Sequence, residues 1–217
     1  MLISKILRNP FIACFLIVAI IFSFHFTPNV IEKKANDFSK LKDGDIIFQS
    51  SEFGQGKAIQ LATHSKYTHC GIVFKENNTY MVYEAVQPVK KTPIDKWILN
   101  SSDDHRYFVK RLKDTEILTP TVIAKMKDRY KQFEGKNYDL YFGWSDERIY
   151  CSELVWKIYQ NATGLEIGAL QKLKDFDLSN PIVQLKLRER YGDKIPYEEK
   201  VISPSAIYAS ELLVTVE

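Results

Sequence analysis

Three residues carry the chemistry that this chain could do: Cys151, His69 and Glu84. Cys151 follows Arg148-Ile149-Tyr150 and opens the run Ser152-Glu153-Leu154-Val155-Trp156. A thiol at a helix start meets unsatisfied backbone N–H groups and the positive end of the helix dipole, and both favour thiolate. Taken alone, that placement is also common among inert buried cysteines. His69 and Glu84 sharpen the reading. They lie in two β-rich runs, 67–74 and 79–86, joined by the polar segment Lys75-Glu76-Asn77-Asn78, which is a hairpin pattern. A carboxylate inside an apolar strand needs a partner. With the turn centred between Glu76 and Asn77, His69 faces Glu84, Gly71 faces Val82 and Val73 faces Tyr80. Opposed side chains share a face with Cβ atoms about 5 Å apart. An imidazole–carboxylate pair is therefore expected, with Gly71 leaving room beside it. The pairing depends on the loop register.

Other polar and thiol residues read differently. Strand alternation turns Cys70 away from His69, which makes it a core residue. A Cys70–Cys151 disulfide is the alternative in an exported protein, and it would consume the nucleophile. A zinc set drawn from His64, His69, Cys70 and Cys151 lacks C-x-x-C or H-x3-H spacing, and alternation splits His69 from Cys70. No metal and no organic cofactor are expected. His64 sits among Thr63, Ser65 and Lys66 as a surface or capping residue. His105 follows Ser101-Ser102-Asp103-Asp104 in a polar loop.

The elements that must hold these residues are legible as well. Asp43-Gly44-Asp45 is a turn feeding the apolar run Ile46-Ile47-Phe48. Residues 55–63 form a short helix with Ala58, Leu61 and Ala62 on one side, and 105–112 read as a further strand. A helix starts at the cap Thr119 with Pro120 in its first turn and runs towards Gly135. The Cys151 helix ends by Gly164 and buries Leu154, Val155, Ile158 and Tyr159. Residues 181–191 form another helix, and Ser203-Pro204-Ser205-Ala206 begins a last helical turn. Strands come first and helices later, without repeated βαβ units, so the class is α+β.

The chain has 217 residues, 45% hydrophobic and 26% charged, with a formal net charge of +3. That is ordinary globular composition, and it excludes disorder and a disulfide scaffold. The charge is too small to indicate nucleic acid. Lys5 and Arg8 are the sole formal charges in residues 1–26, so the surplus sits mostly in a leader. Residues 11–24 are uncharged and apolar, without a small-residue cleavage site after them. Cys14 does not mark a lipoprotein, because the apolar run continues past it. This is an uncleaved N-terminal anchor or a signal segment, and either places the body outside the cytoplasm. The organisation is a leader over 1–26, a linker over 27–40 and one domain over 41–217.

Several segments resemble one family. They are Leu61-Ala62-Thr63-x-Ser65-x-Tyr67-x-His69-x-Gly71-Ile72-Val73, Tyr83-Glu84-Ala85-Val86 and Tyr150-Cys151-Ser152-Glu153-Leu154-Val155. Asp43-Gly44-Asp45-Ile46 and Ile202-Ser203-Pro204-Ser205-Ala206-Ile207-Tyr208 add to them. In this order, over about residues 40–212, they resemble the permuted papain-like cysteine hydrolases of the YiiX/YebB type, within the NlpC-like superfamily. Lecithin:retinol acyltransferase is a distant relative of that group. The resemblance implies a circularly permuted papain-like (NlpC-like) fold, an antiparallel sheet with packed helices, here preceded by the hydrophobic N-terminal segment. Carried over, Cys151 is the nucleophile, His69 the base and Glu84 the residue that orients it. Relatives commonly have an aliphatic residue where this chain has Cys70.

The expected reaction is hydrolysis of an amide or related acyl bond through a thioester on Cys151. Backbone N–H groups at the helix start are natural oxyanion donors, and Ser152, Tyr67 and Gln49 are side-chain candidates. The substrate is a peptide, small-molecule or lipid acyl compound outside the cytoplasm, in a bacterial envelope. The membrane is met through the N-terminal segment. A lipid-directed acyltransferase or thioesterase and a catalytically silent binding module are the alternatives.

Overall fold

The computed structural model describes residues 38–51, 54–102 and 106–216. The leader, residues 27–37 of the linker and His105 lie outside the described residues.

Six antiparallel strands form the main sheet: β1 (Ile46–Gln49), β2 (His69–Glu76), β3 (Thr79–Glu84), β4 (Lys90–Pro93), β5 (Phe108–Leu112) and β8 (Leu213–Thr215). Their order is β4-β3-β2-β1-β5-β8. A two-residue pair, β6 (Gln171–Lys172) and β7 (Lys200–Val201), stands apart from it. The helices are α1 (Gly56–Thr63), α2 (Ile94–Trp97), α3 (Pro120–Lys131), α4 (Cys151–Thr163), α5 (Pro181–Tyr191) and α6 (Pro204–Tyr208). Among the described residues no helix is long and apolar enough to cross a membrane.

Period-two alternation gives the sheet two apolar faces. Ile46, Phe48, Cys70, Ile72 and Phe74 point to the face covered by α3 and α4, where Met126, Tyr130, Leu154, Val155 and Ile158 meet them. Ile47, Val73, Val82 and Val109 point to the other face, closed by Ile94, Trp97 and Ile98. A smaller cluster of Ala58, Leu173, Val183 and Leu187 joins α1 to α5.

Local chemistry sets the helix ends. Thr119 accepts a hydrogen bond from the Val122 N–H at 3.3 Å with Pro120 behind it. The α3 helix stops at Lys131, earlier than Gly135, whose N–H instead donates to the Val89 carbonyl at 2.9 Å. Gly164 takes a left-handed φ of 76° and closes α4 onto the Gln160 carbonyl.

The β2–β3 hairpin turns one residue later than the sequence pattern indicated. Asn77 and Asn78 both have positive φ, 46° and 65°, so they are the two central residues of the turn. Tyr83 is paired with Ile72 and Val82 with Val73. The expected pairings of His69 with Glu84, Gly71 with Val82 and Val73 with Tyr80 are each off by two. A shift of two keeps every side chain on its face. Gly71 therefore falls across from Glu84, and a Cβ placed on it would lie 3.4 Å from the Glu84 Cβ and 2.6 Å from Val82 Cγ1.

Candidate active site

His69 is the first residue of β2, and Glu84 is the last of β3. They sit diagonally rather than directly opposite, and the gap left by Gly71 lets the carboxylate cross. His69 Nε2 and Glu84 Oε2 are 2.5 Å apart. Two more donors hold the carboxylate. Trp97 Nε1 donates to Oε2 at 2.8 Å, and Thr92 Oγ1 donates to Oε1 at 2.6 Å. The Trp97 ring also stacks on the imidazole, with centroids 5.8 Å apart. Burial alone would raise the Glu84 pKa, but the imidazole and these donors outweigh it and hold the group below the usual carboxylate range. Trp97 and Thr92 were not legible as site residues, since the short β4–α2 segment has no pattern of its own. A buried carboxylate needing donors is the one signal that pointed to them.

Cys151 is the first residue of α4, and the apolar stripe of that helix packs it on the sheet face that carries Cys70. This brings the thiol to the end of β2. There His69 and Cys70 are the neighbours that bear on its charge. The Cys70 thiol and backbone N–H both favour a charged Cys151 sulfur. Burial opposes that, and His69 adds to it, so the Cys151 pKa falls well below the usual thiol value. Burial lowers the His69 pKa, but Cys151 and Glu84 outweigh it and lift the imidazole to about 10. Both shifts favour the thiolate–imidazolium form of the pair.

Alternation does turn Cys70 away from His69, and its side chain is buried in the core. Because α4 covers the face to which Cys70 points, that core borders the helix that Cys151 opens. Both cysteines are free thiols.

The oxyanion candidates fare differently. The Ser152 hydroxyl donates to the Ile202 carbonyl at 2.8 Å, which leaves its backbone N–H, in the first turn of α4, as the group it can offer. Tyr67 stacks on Tyr208 with centroids 3.9 Å apart and edges onto Phe48 and Phe108, so its ring is held in an aromatic cluster. Gln49 is paired across from His69 and is buried. His64 is an exposed residue whose imidazole lies 3.1 Å from Asp177.

Tyr138 is an unforeseen neighbour of the thiol. A bridge between Tyr138 and Ile149 ties it to the stretch just before Cys151. The buried Asp139 then folds the following loop by accepting from the Tyr141 and Gly143 N–H groups, each at 2.9 Å. The Tyr138 hydroxyl lies 4.0 Å from Cys151 Sγ and accepts from Gln55 Nε2 at 2.8 Å. Arg190 of α5 donates to Gln55 Oε1 at 2.6 Å.

Beside Cys151 a cleft opens between α1, α5 and residues 201–204. Its walls include Ala58, Phe142, Leu173, Leu178, Val183 and Leu187, with Lys186 and Arg190 as its charged residues. A thiolate–imidazolium pair, an oriented imidazole, helix-start N–H groups and an adjoining apolar cleft are the parts that acyl transfer requires.

The family described as "permuted papain-like amidase enzyme, YaeF/YiiX, C92 family" matches residues 40–217. The chain belongs to this family. As a member of the C92 family it is a papain-like cysteine hydrolase, and its α+β fold is the permuted papain-like one. The uncharacterized protein YiiX of Escherichia coli K12 is 50% identical over 173 residues, which cover 80% of this chain and 84% of that protein. A crystal structure of yiiX from Escherichia coli O157:H7 superposes with a TM-score of 0.78 at 50% identity, covering 82% of this chain and 97% of that one. That structure is titled a metalloprotein. Here, among the described residues, no group of three or more His, Cys, Asp or Glu side chains could hold a metal ion. His69 Nε2 is already spent on Glu84. The described donors around Cys151 do not fit a metal centre.

Proposed function

We propose that this C92 member cleaves an amide or related acyl bond through a Cys151 thioester, with His69 as acid–base and Glu84 as its orienting partner. The observation that carries the reading is the 2.5 Å His69–Glu84 pair together with Cys151 at the first position of α4, its thiol favoured in the charged form by His69 among its neighbours, on the wall of the apolar cleft.

The thiolate attacks the carbonyl carbon, and the developing oxyanion meets the first N–H groups of α4. The Tyr138 hydroxyl, next to the sulfur, is placed to add a further donor. His69 gives its proton to the leaving nitrogen, then takes one from the water that cleaves the thioester. Glu84 fixes the tautomer and stabilises the imidazolium throughout. The apolar walls support an apolar acyl group, since hydrocarbon side chains line the cleft beside Cys151. The uncharged leader after Lys5 and Arg8 supports an extracytoplasmic site of action with the membrane close by.

The same lining favours a second reading, in which a lipid-derived acyl group passes to an acceptor other than water. Incubation with N-acyl amides of increasing chain length, with and without an added amine acceptor, separates the two. Free acid as the sole product supports hydrolysis, and acylated acceptor supports transfer. If every amide is inert while Cys151 stays reactive to iodoacetamide, the amidase reading fails.

A further inference from the structure

Tyr138, Gln55 and Arg190 come from three separate segments and meet beside Cys151 on the wall of the cleft. Gln55 immediately precedes α1, yet its side chain does not cap that helix. It reaches across instead, with Nε2 2.8 Å from the Tyr138 hydroxyl and Oε1 2.6 Å from Arg190 Nη2. Arg190 lies in the last turn of α5, with its guanidinium over the Phe142 ring at 5.0 Å from the centroid. The Tyr138 hydroxyl in turn stands 4.0 Å from Cys151 Sγ. Burial, and then the charge on the Cys151 sulfur, push the Tyr138 phenol well above its usual pKa, so the proton stays on the oxygen.

The chemistry of these side chains gives the contacts one direction. A guanidinium has donors and no acceptor, whereas a primary amide has both and fits either way round. Facing Arg190, the Gln55 amide must present its oxygen, so its NH2 group is turned to Tyr138. The Tyr138 oxygen therefore accepts, and its single proton is left for a different partner. The Cys151 sulfur is within reach of that proton. Without the guanidinium, nothing in the chain of contacts distinguishes the two amide orientations. With the amide reversed, its oxygen takes the phenol proton and the sulfur loses a donor. We propose that Arg190 and Gln55 are positioning residues that fix the Tyr138 hydroxyl as a donor towards Cys151 and the oxyanion formed beside it. The oxyanion half rests on the amidase reading above, and the bond towards the sulfur does not. Since Arg190 belongs to α5 and Gln55 leads into α1, two elements that wall the cleft also tune the nucleophile.

The test is the pH dependence of Cys151 alkylation by iodoacetamide in the full-length protein, read by mass spectrometry on the peptide that holds Cys151. Each variant is first shown to be folded by circular dichroism. Gln55→Glu keeps the shape of the side chain and an acceptor for Arg190, but it offers Tyr138 acceptors alone, so the phenol must turn its proton away from the sulfur. Losing a hydrogen bond to the thiolate should raise the pH at which Cys151 becomes reactive by about one unit, with about tenfold less thiolate below it. Tyr138→Phe should do the same, and Arg190→Met should shift the profile in that direction by part of the amount. Gln55→Glu also brings a charge, and the Tyr138→Phe background separates the two effects. With no phenol proton left to redirect, most of the Gln55→Glu shift should vanish there. An undiminished shift in that background, or a wild-type profile for Arg190→Met, would overturn the proposal. The two substitutions sit on different elements, so a folding failure in one leaves the other to decide. Alkylation needs no substrate. Shifted profiles beside inert amides would sink the amidase reading alone, and unshifted profiles beside cleaved amides would sink the positioning role alone.

Discussion

Replacing Glu84 by Gln removes a charge while keeping the shape of the site. In the folded protein the Glu84 carboxylate accepts from His69, Trp97 and Thr92 at 2.5, 2.8 and 2.6 Å. A glutamine whose carbonyl takes the Oε2 position keeps the first two bonds. Its amide then faces Thr92, whose hydroxyl can rotate to accept. What is lost is the charge on the acceptor. Hydrogen bonds to charged groups contribute about 1.5–3 kcal/mol, against about 0.5–1.5 for neutral ones. The difference, ~1.4 kcal/mol, is about one pKa unit and about tenfold in rate. The competent ion pair exists between the low pKa of Cys151 and the His69 value of about 10. Activity should therefore hold from neutral pH upwards and fall as His69 deprotonates near 10. In the variant that alkaline limb should move down by about one unit, with kcat reduced about tenfold and the urea midpoint changed little. The assay is a pH–rate profile of amide hydrolysis, run beside the pH dependence of Cys151 alkylation. An alkaline limb that stays in place in both measurements would refute the role given to Glu84. Stability moves in the same sense: the contribution of the protonated imidazole is complete below its unfolded pKa near ~6.5 and is lost as pH rises through about 10.

Other consequences follow from groups around the site. Asp45 is fully buried, and Arg111 Nε and Nη2 each reach it at 2.7 Å, so Asp45→Ala should cost about 3–5 kcal/mol in urea unfolding by stranding the guanidinium. A loss under about 1 kcal/mol would show the pair to be dispensable. Gly71→Ala would press a methyl against Val82 Cγ1 and the Tyr83 carbonyl, at 2.6 and 2.9 Å in the unrelaxed backbone. It should destabilise by about 1–3 kcal/mol and slow turnover through displaced Glu84, and wild-type kinetics would contradict the close approach. Burial lifts Glu153 to about 8, although the Lys157 ammonium at 2.7 Å offsets part of the effect. The folded state thus keeps a proton that the unfolded chain has lost, so stability should fall as pH rises from about 4.3 through 8. Glu153→Gln should flatten that slope, and an unchanged slope would count against the burial argument.

How much of this was legible in the sequence depends on what each inference rested on. The Thr119 cap and the Gly164 stop are local chemistry, and both stand as expected. The hairpin was recognisable from its two β-rich runs, but its register was not. Two adjacent asparagines adopt positive φ and become the turn centre, a choice the polar segment Lys75–Asn78 does not reveal by composition. The His69–Glu84 contact survived because the slip was an even number of residues, and because Gly71 leaves the diagonal path open. Cys70 is a core residue, as strand alternation indicated, but its surroundings were not legible. Strand periodicity states which face a side chain takes, but not which element covers that face. Thr92, Trp97, Tyr138 and Gln55 reach the site by tertiary packing of short or irregular segments, and no periodic pattern marks such segments.

Capture of the acyl-enzyme tests the central claim most directly. The full-length protein is mixed with an N-acyl amide, quenched in acid within the first turnovers, digested and weighed peptide by peptide. The account predicts that the peptide holding Cys151 gains the mass of the acyl group. Hydroxylamine should remove that group as it does a thioester, and Cys151→Ala should show neither the adduct nor hydrolysis while keeping its fold. Hydrolysis that persists in Cys151→Ala, or an acyl group found on another residue, would contradict it.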